Sequence, residues 1–201
     1  MIAVGGSKCK INVARFCGIY IFLVASTWFL LPSFCFAEKI GVEIKKAALI
    51  LQDNNYELSA EMVYQLSKRA EEALSNGVPL FWDLKVNVRQ RHNYFLDKTV
   101  AERAIRYRIQ YHALLNMYRV RNEGTGTVEN FTTLTGALDE ISILQNFRIM
   151  DKTELDPNYT YYAEMKINFD REALPLPLRP IAYLNSQWYL SSTWYTWSLT
   201  K

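Results

Sequence analysis

Alternation of apolar and polar residues, repeated in several segments, is the feature that most constrains the fold of this chain. In residues 78–88, six apolar residues alternate mostly with polar ones: Val78, Leu80, Trp82, Leu84, Val86 and Val88. A period of two places successive side chains on opposite faces of a strand, so this segment predicts a half-buried β-strand. Further strands are predicted at residues 42–51, 58–66, 101–113, 159–170 and 188–199. Residues 118–121 either extend the long strand before them or pair back on it.

Two short helices interrupt the predicted strands. Ser67 is typical of a helix N-cap before residues 68–76, and Gly77 supplies the stop. Residues 133–145 place apolar side chains at helical spacing. Residues 174–180 (LPLPLRP) are predicted to be extended, because prolines recur through them. Strands joined by short turns favour antiparallel pairing. The sequence therefore predicts a mainly β fold, an antiparallel β-sandwich or a bent sheet, with two short helices covering an edge or end.

Residues 1–37 have the three parts of a secretory signal. Three basic residues precede an uncharged apolar stretch at residues 16–31, and small residues then predict cleavage between Ala37 and Glu38. The alternative is an uncleaved signal anchor, since an uncharged stretch of about twenty residues spans a bilayer. The predicted organisation is a signal peptide, or signal anchor, followed by a single β-rich domain at residues 38–201.

Removal of this signal changes both the charge and the thiol content of the protein. The chain has 23 basic residues, 20 acidic residues and 3 cysteines, and the signal holds three of the basic residues and every cysteine. The remaining domain is therefore formally neutral, which argues against a nucleic-acid partner, because such proteins carry a basic domain. It also lacks disulfides and thiolate chemistry, and cysteine-free export fits a bacterial periplasm.

Several phrases of the sequence, taken in order, carry a family resemblance. They are YQLS (64–67), NGVPL (76–80), RYR (106–108), YHAL (111–114), YRV (118–120), LP (174–175) and WYLSS (188–192). Together they resemble an uncharacterised proteobacterial exported family, defined only as a domain of unknown function and sometimes labelled "proline-rich signal peptide protein". The resemblance covers nearly all of residues 40–200 and implies a Gram-negative origin and export. It also implies a candidate partner, because the family often lies beside a membrane sensor kinase of the nitrogen-regulation type. It implies no activity and no catalytic residue.

Motifs for catalysis, metals and cofactors are missing from the sequence. His92 and His112 stand outside any metal-ligand spacing, and there is no GxSxG elbow, P-loop or Rossmann glycine pattern. We therefore predict no catalytic, metal-binding or cofactor-binding residue. The carboxylates of Asp151, Glu154 and Asp156 predict a polar loop, with weak calcium binding as the alternative.

Charge is distributed unevenly along the chain. Residues 85–122 contain nine basic and two acidic residues, so this segment is strongly positive and the rest of the domain equally negative. The predicted strands place a candidate basic binding surface on one sheet face, formed by Arg106, Arg108, His112, Arg119 and Arg121. The alternative is a solvated face whose charges pair internally with the acidic half.

Aromatic residues cluster near the C-terminal end. In a strand over residues 188–199, alternation would put Trp188 and Trp194 on one face and Tyr189, Tyr195 and Trp197 on the other. Aromatic side chains on both faces predict core packing rather than a single exposed stacking platform.

These features predict an exported, non-enzymatic binding or accessory module of the bacterial cell envelope. It is expected in the periplasm, or tethered to the inner membrane if residues 16–37 are retained. The expected partner is a membrane protein or an anionic envelope component, with a sensor kinase as one candidate. The alternatives are an envelope domain that binds lipid or glycan, and an enzyme of unrecognised type.

Overall fold

The computed structural model describes residues 40–92 and 96–199. The predicted signal and its cleavage site at Ala37 and Glu38 lie outside these residues. The strands are β1 (Gly41–Gln52), β2 (Asn55–Gln65), β3 (Leu80–Gln90), β4 (Lys98–His112), β5 (Met117–Asn122), β6 (Val128–Phe131), β7 (Ile143–Asp151), β8 (Tyr161–Phe169) and β9 (Tyr195–Ser198). The helices are α1 (Lys68–Ser75), α2 (Leu134–Ser142) and α3 (Arg179–Leu184), with short 3-10 turns at Lys152–Glu154 and Ser186–Trp188.

The strands form two antiparallel sheets. One sheet has three strands in the order β1-β2-β7, and the other has six strands in the order β6-β5-β4-β3-β8-β9. This arrangement confirms the predicted mainly β, antiparallel architecture with two short helices. The third helix, α3, was not predicted, and β5 pairs back on β4 rather than extending it. No helix within the described ranges is both long enough and apolar enough to cross a membrane.

One hydrophobic core includes buried residues of both sheets and of all three helices. Trp82 of β3 is its largest fully buried side chain. The Trp82 ring lies edge-on to Tyr64, with centroids 5.7 Å apart, and tilted against Phe169 at 5.4 Å. Its indole N–H donates to the backbone oxygen of Leu190 at 3.1 Å. Because the apolar side chains of β3 face this core, the alternate residues of the strand are left on the opposite face of the sheet.

Both predicted helices begin at side-chain caps. The Ser67 hydroxyl accepts a hydrogen bond from the N–H of Ala70, and the Thr133 hydroxyl accepts one from the N–H of Gly136, each at 3.1 Å. Each contact satisfies one of the donors that a first helical turn leaves free.

Strand β7 was missed by the sequence prediction. The predicted helix at 133–145 ends earlier, at Ser142, and β7 follows at once and pairs with β2. The pairing shifts register twice, and Asn146 adopts a φ of +54°. Such irregularities break the alternation that identifies a strand in a sequence.

The segment that follows β8 also differs from its prediction. Residues 174–180 are not extended: the N–H of Leu178 donates to the oxygen of Pro175 at 2.9 Å, and the turn leads into α3. Pro180 fits the first turn of α3, because N–H groups there lack helical partners anyway. Of the strand predicted at 188–199, only β9 forms.

The predicted faces of the C-terminal tryptophans are wrong for the same reason. Trp188 is buried, with 2% of its surface exposed, whereas Trp194 is 47% exposed. Trp188 closes a 3-10 turn, and the residues between it and β9 are irregular, so the two rings do not share a strand face.

Candidate binding surface

Side chains of the six-stranded sheet that point away from the core form a polar surface, called the outer face below. Arg106, Arg108 and His112 reach it from β4, and Arg119 and Arg121 reach it from β5. In the register of these strands, Arg108 lies opposite Arg121, and His112 lies opposite Met117. The fold therefore places all five residues of the predicted basic surface on one face.

Three of these arginines are held by acidic side chains on the same side of the sheet. Arg106 bonds to both oxygens of Asp83, at 3.1 and 3.2 Å, and to a carboxylate oxygen of Asp170 at 2.5 Å. The other two share one acid: Glu123 lies 3.0 Å from Nε of Arg108 and 3.5 Å from Nε of Arg121. The alternative prediction, internal charge pairing, therefore describes this part of the surface.

Phe81 supports two of the same guanidinium groups. Its ring centroid lies 4.9 Å from Cζ of Arg106 and 5.9 Å from Cζ of Arg108. Cations over an aromatic face gain electrostatic attraction and lose rotational freedom. The Phe81 ring and the neighbouring carboxylates thus hold Arg106 and Arg108 in place.

The ion pair between Arg106 and Asp170 shifts the pKa of both groups. Burial lowers the pKa of Arg106, but the hydrogen bond to Asp170 and the charge of Asp83 outweigh it, and the net pKa is raised. Burial likewise raises the pKa of Asp170, but Arg106 and the backbone N–H groups of Ala173 and Glu172 lower it overall. Both groups are therefore charged at neutral pH.

Asp170→Asn is expected to lower the free energy of unfolding by about 1 kcal/mol at pH 7, a modest value because solvent screens this part-exposed pair. Since the folded pKa of Asp170 is depressed, its contribution is present above the ordinary pKa of 3.8 and is lost as pH falls below it. Urea unfolding at pH 7 and near pH 2.5 measures the change. The exposed Asp139→Asn variant is the control, and a wild-type advantage unchanged at low pH would contradict the assignment.

Arg119 differs from the other arginines because its described partner is neutral. Its Nε donates to Oδ1 of Asn130 at 3.1 Å, across the β5–β6 pairing. No carboxylate lies within 4 Å of its guanidinium in residues 40–92 and 96–199. Its positive charge therefore remains uncompensated on the outer face.

A second uncompensated group consists of Lys85 and Lys166, which were not part of the predicted surface. These lysines lie directly opposite each other on β3 and β8. Neither forms an ion pair within the described part of the chain, and the Lys166 ammonium lies 5.6 Å from the ring centroid of the exposed Trp194. Alternation in β8 places Lys166 on the outer face, but the pairing of β8 with β3 appears only in the folded structure.

His92 and the loop carboxylates form contacts that are typical of structural roles. The backbone N–H of His92 donates to Oδ1 of Asp97 at 3.0 Å. Glu154 accepts the N–H of Asp151, and Asp156 accepts the N–H of Asn158, each at 2.9 Å, as in ordinary turns. Within the described ranges, no cluster of three or more acidic, histidine or cysteine residues is arranged to hold a metal ion.

The core that the two sheets share is lined by large apolar side chains. Leu84, Met165 and Ile167 are fully buried there, together with Trp82. Hollows of about 250 to 480 Å³ open at the surface, and one is lined by Gly41 and Tyr195. On the outer face, guanidinium and ammonium groups are of the kind that bind carboxylates and phosphates.

By fold and surface, this protein is a two-sheet antiparallel β domain with a charged outer face. It belongs to the family described as Domain of unknown function (DUF4390), which matches residues 39–198. This match confirms the resemblance to an uncharacterised family that the sequence phrases indicated. Neither a curated protein nor a solved structure matches the chain.

Proposed function

We propose that this protein is an exported, non-enzymatic binding or accessory module of the bacterial cell envelope, which recognises an acidic partner through its outer face. The observation that supports this most is the pair of Lys85 and Lys166. They are cross-strand neighbours without an ion-pair partner in the part of the chain that the structure describes. Like charges directly opposite each other destabilise a sheet, so an anion bound between them would relieve the repulsion.

The surroundings of this lysine pair suit a preorganised contact. Arg106 and Arg108 are already fixed by Asp83, Asp170 and Glu123, so they contribute a rigid frame rather than free charge. Rigid surroundings reduce the ordering cost of association. Within this proposal, the partner is a membrane protein with an acidic outward-facing region, and the sensor kinase implied by the family resemblance is one candidate. Export through residues 1–37 is part of the proposal.

Charge reversal tests this directly. Lys85→Glu/Lys166→Glu should reduce recovery of the partner by roughly tenfold or more in crosslinking and mass spectrometry from intact cells, because attraction becomes repulsion. Lys68→Glu/Lys152→Glu is the matched control, since it changes the net charge equally on α1 and on a 3-10 turn. An identical list of crosslinked proteins for wild type and both variants would refute the proposal.

A second candidate function is binding of an anionic glycan. The specific observation is Trp194, which is 47% exposed and lies beside Lys166. A tryptophan face stacks on sugar rings, while the neighbouring ammonium groups bind uronate or phosphate substituents. The sequence pattern had placed this ring in a strand packed on both faces, so only the fold makes this platform visible.

Calorimetric titration with oligogalacturonate, against a neutral oligosaccharide of equal length, tests the glycan candidate. We expect binding of the acidic sugar alone, weakened about tenfold by Trp194→Ala. Tyr189→Ala removes an equally exposed ring and should leave the affinity unchanged. Equal binding of both sugars, or equal effects of both variants, would exclude the site.

A further inference from the structure

The hairpin that joins β4 to β5 ends in two exposed leucines. Leu114 and Leu115 are 102% and 59% exposed. The last pairing between β4 and β3 joins Ile109 to Leu80, so β4 continues for three residues beyond it. At about 3.3 Å per residue, the tip projects roughly 10 Å past the start of β3. Gly77 lies beside this extension, since its oxygen accepts a hydrogen bond from the Gln110 side chain at 3.3 Å, and the two leucines form the exposed tip beyond it.

The loop does not need leucine to form. The N–H of Leu115 donates to the oxygen of His112 at 3.1 Å, and the side chain of Asn116 accepts from the Tyr111 hydroxyl at 2.6 Å. Asn116 also adopts the positive φ, +51°, that such turns require. Backbone groups and the Asn116 side chain close the turn, while turns usually carry glycine, asparagine, aspartate or serine. The two leucines therefore expose apolar surface that contributes nothing to the turn.

Cationic and polar groups follow directly behind this apolar tip. His112 and Arg119 lie on the outer face next to the loop, and neither forms an ion pair with a carboxylate in the described residues. From the tip towards the sheet, apolar side chains come first and cationic ones second. A bilayer has the matching order from its interior outwards, with acyl chains first and anionic headgroups second.

The segment after β8 adds interfacial side chains at the same end of the sheet, because β8 ends where Phe169 pairs with Trp82. Tyr183 and Tyr189 are about half exposed, and the Arg171 guanidinium lies 4.7 and 5.4 Å from their ring centroids. Tyrosine is enriched at membrane interfaces, and arginine binds headgroup phosphates there.

We propose that the β4–β5 tip inserts Leu114 and Leu115 into the surface of an anionic lipid bilayer, with Arg119 in the headgroup layer. A bilayer suits this feature better than a protein groove. Two side chains offer far less than the roughly 800 Å² per partner of a stable protein interface, whereas a membrane accepts any convex apolar group. The contact goes beyond the proposed partner site and does not require Lys85 or Lys166.

Site-specific photo-crosslinking in the full-length protein tests the insertion. A benzophenone amino acid replaces Leu114 or, as the matched control, Leu96, which is 95% exposed in the loop at the other end of β4. With vesicles of phosphatidylethanolamine and phosphatidylglycerol, lipid adducts at position 114 should exceed those at position 96 roughly tenfold, the partition gained by burying one leucine. Phosphatidylcholine vesicles should give fewer adducts, as should the Arg119→Glu background.

The comparison of positions separates insertion from simple tethering. If residues 1–37 only hold the domain near a membrane, positions 114 and 96 would label equally, and the inference would be wrong. Protein adducts alone at position 114 in intact cells would also overturn it. Because Leu114 is exposed, its replacement should leave urea unfolding unchanged, which verifies the fold of the labelled protein. The lipid adducts at position 114 do not depend on the partner proposed for Lys85 and Lys166, so failure of that proposal would leave them unchanged.

Discussion

Trp82→Ala is expected to lower the free energy of unfolding by about 3–5 kcal/mol. The ring is 1% exposed and contacts Tyr64 and Phe169, so its removal leaves a cavity in the core. Truncation also leaves the backbone oxygen of Leu190 without its indole donor. Urea denaturation followed by circular dichroism measures the loss.

Two further variants are expected to lose less unfolding free energy than Trp82→Ala. Trp82→Phe keeps an aromatic ring but loses the N–H donor, so a smaller loss of about 1–2 kcal/mol is expected. Trp194→Ala removes an exposed ring of the same type and should cost under about 1 kcal/mol, the value of its contact with Lys166. Equal losses for the alanine variants at positions 82 and 194 would contradict the described core.

Gly41→Ala is expected to lower the free energy of unfolding by about 2–3 kcal/mol. Gly41 begins β1 with a φ of +124°, which side-chain-bearing residues rarely adopt. A Cβ there would lie 3.2 Å from the backbone oxygen of Tyr189 and 3.3 Å from that of Ser191. Backbone atoms cannot swing aside, so the change combines conformational strain with crowding between β1 and the segment before β9.

Two other glycines separate these causes. Gly77 has a φ of +83°, but its nearest neighbour is 3.9 Å away, so Gly77→Ala tests strain alone and should cost about 1 kcal/mol. Gly124 has no positive φ and meets only a side chain, and Gly124→Ala should be nearly neutral. The ranking of Gly41 above Gly77 above Gly124 in urea midpoints is the expected result. A Gly41→Ala variant no less stable than Gly77→Ala would show that β1 does not approach residues 189–191 as described.

Much of the six-stranded sheet was predictable because its strands are half-buried and regular. In β3 and β4, one face must be apolar to cover the core and the other meets water, so the period of two is visible in the sequence. The same alternation predicted that Arg106, Arg108 and Arg119 would share a face. The cap at Ser67 was likewise predictable, because it acts on a neighbour three residues away.

Strand β7 and residues 188–199 were mispredicted for the same physical reason. β7 contains register shifts and a positive φ at Asn146, and the strand expected at 188–199 begins instead with a 3-10 turn. In both places the local pattern is overridden by contacts with distant strands. Propensity and spacing describe short-range preferences, whereas these segments follow the surface on which they pack.

Some basic side chains of the outer face are paired with acids and others are not, and this difference shows how far the sequence alone determines the protein. Composition and alternation are local properties, and they determined a mainly β domain whose five predicted basic residues share one sheet face. Tertiary structure decided which charges are neutralised. The fold brings Arg106 to Asp83, 23 residues away in the chain, and to Asp170, 64 residues away, and register places Lys85 beside Lys166. Pairing of charges depends on separations of a few ångströms between side chains, and only the folded sheets set those separations.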